Sequence, residues 1–485
     1  MRRLNRIGTG VALIGLALLS LLVAGLARAE ERPNILFIMT DDQGPWAWGG
    51  GGHPDAITPN LDRLRSEGVH LANYFVTTPV CSPARASMLS SRYSTELGIT
   101  DYIPPDGENG LDPALPVWPR ALDEAGYRTA HIGKWHVGEL DQYLPKHFGY
   151  DYFAGFRHGP GTSKDPKVEF DGEIREIKGY TPDILTDLAM DFIARDDSAP
   201  FLVSLHYWAP HANTAVKTPD GDRTWHPLSD ADWDLFKERE ITLPEPRHPE
   251  LDVPRAIRMT REYLASVHSV DRNLGRLFAA LDARGLRDNT IVVFTSDHGY
   301  NMAHHGIWHK GNGRWLLVNN QGSRPNLWDT SLRAPAIIRW PRGIEAGSTI
   351  NQTTSNLDWF PSLLSLTGVP MPAGALIRGQ DFAPLLRGQA PVWNDAFFVQ
   401  YDQRLSLDGS GNLRAYRTPR WKLVRDYRNA GQDEFYDLAS DPGELNNLIE
   451  SADPEVQVAI AGLEQALRAA MARVNDPALI PPRAE

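Results

Sequence analysis

Asn34 to Thr40 (NILFIMT) is an unbroken apolar run of strand length that ends on the polar stretch Asp41-Asp42-Gln43-Gly44. Thr58 then reads as a helix N-cap, with Pro59 at the first helical position, Leu61 and Leu64 on one face and Gly68 as the stop. The strand, loop, helix pattern recurs. Val117 to Ala125 reads as a helix ending at Gly126, and Thr129 to Ile132 as a short strand that delivers Gly133-Lys134-Trp135-His136. Pro182 to Ala194 is an amphipathic helix, followed by the strand Phe201 to His206 and the segment Trp208-Ala209-Pro210-His211. A long helix from Arg255 to Ala283 stops near Gly285, and the strand Thr290 to Thr295 delivers Ser296-Asp297-His298-Gly299. Helices alternating with apolar strands predict an α/β fold: a large, mostly parallel sheet flanked by helices. Ligands of such sheets bind at the carboxyl ends of the strands, where four polar clusters fall here.

The pattern weakens elsewhere. Pro219 to Pro254 is Pro-rich, acidic and weakly periodic, which predicts an excursion over the surface, and Gly49 to Gly52 predicts a flexible loop without phosphate-loop spacing. Beyond Val392 come short strand-like runs, Ala396 to Gln400, Leu413 to Arg417, Trp421 to Arg425 and Asp433 to Tyr436. They predict a small antiparallel sheet, closed by a helix over Pro454 to Val474. Residues 1–29 combine Arg2, Arg3 and Arg6 with an apolar run from Val11 to Leu26 and Ala27-Arg28-Ala29, the layout of a cleaved export signal; the run is short for an uncleaved membrane anchor. The expected division is therefore a signal peptide over 1–29, an α/β domain over 30–391 and a C-terminal α+β subdomain over 392–485. The product is periplasmic or secreted, with no membrane attachment after cleavage. A hydrophobic content of 42% suffices for a sizeable core. Losing the signal moves the formal net charge from −12 to −16, which argues against a nucleic-acid partner.

One cysteine in an exported chain excludes an internal disulfide, so Cys81 is a buried small hydrophobe, a free thiol or a modified residue. Its neighbours narrow the choice. Pro83 reads as the first helical residue, which puts Cys81 at or just before a helix N-terminus, where unpaired N–H groups favour negative charge and Arg85 adds a forked cation. Asp41 and Asp42 repel each other, so a bound cation explains them; a solvated turn or helix cap is the alternative. Asp297 and His298 end another strand and could complete an oxygen-rich cage. Lys134 and His136 share surroundings only if the strand breaks there. His211 and Lys310 lie in polar loops, and His304, His305 and His309 lack the carboxylate spacing of a zinc site.

Cys81-x-Pro83-x-Arg85 resembles the signature of the type I sulfatases of the alkaline-phosphatase-like superfamily, and the resemblance extends from Pro33-Asn34-Ile35 to the segment Asp433 to Leu448. It implies that an accessory maturation enzyme oxidises Cys81 to Cα-formylglycine, an aldehyde whose hydrate is the nucleophile. It further implies that Asp41, Asp42, the modified Cys81, Asp297 and His298 hold one calcium ion. Magnesium or zinc are lesser options, because His298 stands where the family often has Asn. Gly133-Lys134-Trp135-His136 is similar to a family pattern in which Lys134 holds sulfate oxygens and His136 helps break down the hydrate. By the same resemblance His211 protonates the leaving oxygen, Lys310 is a second sulfate-binding lysine, and Trp328 to Pro335 is a connecting strand with a packing role. The implied activity is hydrolysis of a sulfate ester on a small molecule or, preferably, a glycan. Trp46, Trp48, Tyr102, Trp308 and Trp315 are placed to stack on sugar rings. The rivals are a phosphomonoester or phosphonate-ester hydrolase of the same superfamily and a non-catalytic glycan-binding protein, the latter disfavoured by the intact motifs.

Overall fold

The computed structural model describes residues 32–159, 161–195, 198–218, 221–320, 322–404 and 410–479. The proposed signal segment lies outside the described residues. Asn34–Thr40 is the central strand, with Thr290–Ser296 and Phe201–His206 parallel on either side. Arg128–Lys134 and Tyr152–Phe156 extend the sheet in parallel beyond Phe201–His206. On the far side Ala336–Arg339 runs antiparallel between Thr290–Ser296 and Val69–Phe75, and Ser348–Ser355 pairs in parallel with Val69–Phe75. The antiparallel strands Lys167–Phe170 and Glu173–Glu176 complete ten strands.

Alternation along the central strand explains why its sequence is apolar throughout. Ile35, Phe37 and Met39 pack on one face against Trp118, Trp359 and Leu363. Leu36 and Ile38 pack on the other against Leu61, Leu205, Leu274 and Phe278. Both faces are covered, so Ile35 to Met39 are all apolar, and the polar Asn34 and Thr40 at the strand ends are buried with hydrogen-bond partners. The helix Pro59–Glu67 begins where expected, but the Thr58 hydroxyl accepts the Gly49 N–H at 2.9 Å and does not cap the helix. The cap comes from Asp271 of the long helix Val253–Ala283, whose carboxylate accepts the Leu61 and Asn60 N–H groups. The same bond holds Gly49–Gly51 in a single helical turn, so the glycine run is tethered.

The C-terminal sheet is present as Phe397–Gln403, Gly411–Arg417, Trp421–Asp426 and Glu434–Asp437, all antiparallel, with Pro454–Arg473 packed on it. Two expectations need correction. The stretch between Asp222 and Pro254 is not a surface excursion: Trp225, Phe236, Ile241, Leu243 and Leu251 build a hydrophobic cluster with Met259, Tyr263 and Leu264 of the long helix. Asp329–Leu332 is a helical turn, and the connecting strand starts only at Ala336, because Trp328 and Leu332 turn inward to pack against the C-terminal sheet.

Candidate active site

Asp41 and Asp42 follow the central strand, Asp297 and His298 follow Thr290–Ser296, and Lys134 ends Arg128–Lys134, so the parallel register brings these groups to one edge of the sheet. The chain turns sharply there. Asp42 and His136 occupy the left-handed region at φ 68° and 60°, and Gly133 at φ 102° lies so close to the neighbouring strand that a Cβ would sit 2.0 Å from the His206 carbonyl oxygen. Lys134 and His136 therefore reach one cavity from either side of a broken strand.

Cys81 is the first residue of the helix Cys81–Ser90, so Pro83 stands third rather than first. The expected benefit survives, because the first intrahelical bond is Ala84 N–H to Val80 carbonyl and no partner is lost at Pro83. The Cys81 Sγ is buried, 3.4 Å from Asp41 Oδ1, 3.4 Å from His298 Nε2 and 2.8 Å from Lys310 Nζ. Burial and the facing Asp41 carboxylate push the thiol up to about 12, although Lys134 and Lys310 pull the other way. As a plain thiol it is un-ionised at neutral pH.

Three buried carboxylates meet three buried cations here. Arg85 donates to Asp297 Oδ2 at 2.9 Å and to the Lys134 carbonyl at 2.8 Å; Lys134 Nζ pairs with Asp41; Lys310 Nζ lies 2.6 Å from Asp42 Oδ1. Burial alone would raise Asp41 and Asp42, but Lys134 and Lys310, with His211, outweigh it and hold both carboxyls below their usual range. Lys310 is correspondingly raised well above its ordinary value: Asp42 and Cys81 overcome its desolvation.

The histidines divide into two roles by their bonds. His136 donates Nε2–H to the Ile103 carbonyl at 2.9 Å, which leaves Nδ1 as a buried acceptor without a protein partner. Burial and Lys134 hold it well below the usual range, so it is neutral, with the lone pair on Nδ1. His211 donates Nδ1–H to the Ala212 carbonyl at 2.8 Å and turns Nε2 toward Asp42 Oδ2 at 3.6 Å. Desolvation lowers it, while Asp42 and Asp41 favour its protonated form.

Asp41, Asp42, Cys81 and His298 present ligand atoms all within 4.8 Å of one another. Asp42 Oδ2 is buried without a hydrogen-bond partner, the mark of a carboxylate oxygen built for a further cation. These residues fit a divalent ion. Asp297 stands beside this group, its Oδ1 3.4 Å from His298 Nε2 and accepting the Asp42 N–H at 3.3 Å. His309, set aside with His304 and His305 in the sequence reading, approaches Asp42 Oδ2 to 3.9 Å at φ 85° and forms a second potential ligand group with Asp42 and His211. Its adjacency to Lys310 was the available signal. His304 instead packs on Trp46, and His305 stacks on Trp328 at 3.8 Å.

Cys81, Lys134, His136, His211, His309 and Lys310 line a cavity of about 400 Å³. Tyr102, Trp308 and Trp315 line it as expected, the two tryptophans from the strands Ile307–His309 and Asn312–Trp315. Trp46 and Trp48 do not: Trp46 packs on Tyr263, and Trp48 is buried under Leu61 and Leu64.

Comparison with known proteins matches residues 33–369 to the family described as Sulfatase and residues 324–473 to N-sulphoglucosamine sulphohydrolase, C-terminal. The N-acetylglucosamine-6-O-sulfatase of Bacteroides thetaiotaomicron is 31% identical over 91% of this chain and 87% of its own. The ulvan-active sulfatase of Formosa agariphila is 29% identical over 92% of this chain and 82% of its own. A protein solved in complex with its substrate D-glucosamine-2-N,6-O-disulfate superposes with a TM-score of 0.78 at 27% identity, over 92% of this chain and 99% of that one.

Proposed function

Since this chain belongs to the sulfatase family and hydrolyses sulfate esters, we propose that its substrate is a sulfated carbohydrate, that Cys81 is converted to Cα-formylglycine, and that one calcium ion lies beside it. The carbohydrate reading is supported by the relatives named for N-acetylglucosamine-6-O-sulfate and ulvan, and by Trp308 and Trp315 on the cavity wall. The observation that carries the chemistry is the placement of Cys81 Sγ at 3.4 Å from both Asp41 and His298 and 2.8 Å from Lys310, at the start of a helix.

Asp41, Asp42, the residue at position 81 and His298 would hold the ion, with Asp297 beside them. Bound there, calcium would polarise the hydroxyl of the hydrated aldehyde that serves as nucleophile. Lys134 and Lys310 hold sulfate oxygens. Their charges neutralise the ester as the nucleophile approaches sulfur in line with the leaving oxygen. Arg85 keeps Asp297 and the Lys134 carbonyl in place. His211 is the acid that protonates the leaving oxygen, and His136 Nδ1 accepts the proton released at position 81. The proposed export signal over 1–29, the division at 391/392 and the need for a separate maturation enzyme belong to the same reading. Among the described residues no helix is long and apolar enough to cross a membrane.

Mass spectrometry of the peptide carrying residue 81 tests this, paired with rates on 4-nitrophenyl sulfate and 4-nitrophenyl phosphate. We expect the aldehyde in place of the thiol, a clear preference for the sulfate, and loss of turnover in Cys81→Ala. A fully active preparation with an unmodified thiol overturns the mechanism, and a faster phosphate rate transfers the chain to the phosphoester branch.

A further inference from the structure

Asp42 divides its carboxylate between two surroundings. Oδ1 faces Lys310 Nζ at 2.6 Å and His298 Nε2 at 3.3 Å, two groups that also touch Cys81. Oδ2 faces the other way, toward His211 Nε2 at 3.6 Å and His309 Nε2 at 3.9 Å, and is buried with no hydrogen-bond partner among the described residues. Both imidazoles have their far nitrogen engaged. His211 donates Nδ1–H to the Ala212 carbonyl at 2.8 Å, and His309 donates Nδ1–H to Asn312 Oδ1 at 2.7 Å. These bonds select the tautomer whose Nε2 lone pair points at Asp42, the outer support that metal-binding histidines receive. In the neutral form three acceptor atoms then face one another with no bond to make among themselves, and a cation between them satisfies all three.

The spacing and the atom types select the ion. Tetrahedral zinc, with bonds of about 2.0 Å, separates its ligand atoms by roughly 3.3 Å. The 3.6 and 3.9 Å separations lie close to that, and all three ligand atoms fall within 4.8 Å of one another. Two imidazole nitrogens and one carboxylate oxygen suit a late first-row metal, whereas calcium takes about six to eight oxygens. We propose that Asp42 Oδ2, His211 Nε2 and His309 Nε2 form a second metal site, sharing Asp42 with the calcium site, that takes zinc or a similar late first-row divalent ion and so inhibits the enzyme. Its fourth position opens to the cavity that both histidines line, where water completes the coordination. The inhibition rests on the reading of His211 as acid: with zinc on Nε2, that nitrogen has no proton to give the leaving oxygen.

The test is calorimetric titration of zinc chloride into calcium-saturated, full-length Cys81→Ala, where the thiol cannot compete for zinc, and into the same protein carrying His309→Gln or His211→Gln. We expect one zinc ion per chain, and an affinity lower by roughly tenfold or more with either second substitution. Calcium titrated into the metal-free form of each variant reports on the fold, so that loss of zinc with calcium binding kept assigns the loss to the site. Absence of zinc uptake beside calcium, equal zinc affinity in all three proteins, or loss of both ions together in both variants overturns it. In matured enzyme, zinc should suppress turnover of 4-nitrophenyl sulfate reversibly, with a chelator that prefers zinc to calcium restoring the rate. His309→Gln, measured against its own zinc-free rate, should need roughly tenfold more zinc for half-inhibition. Zinc bound at these residues without inhibition would remove His211 from the role of acid and leave the metal site standing.

Discussion

Asp358 is buried at the start of the helix Trp359–Thr367, where its carboxylate accepts N–H bonds from Ser355 at 2.6 Å and Gln380 at 2.7 Å. Burial overrides those bonds and pushes its carboxyl from 3.8 up to about 7. A raised folded-state value means the fold binds this proton more tightly than the unfolded chain does. The stabilisation is therefore complete below pH 3.8 and is lost as pH rises through about 7, on the order of a few kcal/mol in all. Asp358→Asn removes the titration, so its melting temperature relative to wild type should climb between pH 5 and pH 8; a gap that stays constant across that range would show that Asp358 does not titrate there. At this scale the site was widely legible. Cys81, Arg85, Lys134, His136 and Lys310 stand in short motifs, and the structure gathers them. His309 was set aside because its place beside Asp42 depends on a left-handed turn, which a histidine gives no sign of adopting.

Among elements, the buried central strands could be read from their continuous apolar runs. Lys167–Phe170 and Glu173–Glu176 could not, since an edge hairpin with one face in water keeps its charges. Ser348–Ser355 (STINQTTS) was equally silent, being polar with several of its positions exposed. The C-terminal sheet is fastened to the catalytic body by a buried ionic cluster that no local pattern announced. Arg417 and Lys422 reach Asp329 at 2.8 and 3.0 Å, and Lys422 also holds Glu444 at 2.6 Å. Lys422→Met leaves two buried carboxyls short of a partner and should cost about 3–5 kcal/mol. The melting temperature should fall and hydrogen exchange should quicken first in Gly411–Arg417 and Trp421–Asp426. Unaltered exchange in those strands would mean the cluster does not fasten the sheet.

For the molecule as a whole, the proposed calcium ion among the buried acids at one sheet edge would tie stability to ion binding. A ligand held only by the folded state stabilises it by mass action, about 2.7 kcal/mol at a hundredfold excess over Kd. Calcium added to chelator-treated protein should therefore raise the melting temperature by a few degrees, and Asp42→Asn should abolish most of the rise. An equal rise in that variant would place the ion elsewhere.

Local sequence determined the strands that are buried on both faces, the helices between them and the identity of the chemical groups at their ends, because backbone preference and hydrophobic period act over a few residues. Tertiary structure alone decided which of those groups meet. Cys81 finds partners 40, 217 and 229 positions away, in a cavity whose walls come from distant segments. Contacts of that span are set by the order and register of strands in the sheet, quantities that emerge only when the whole core packs.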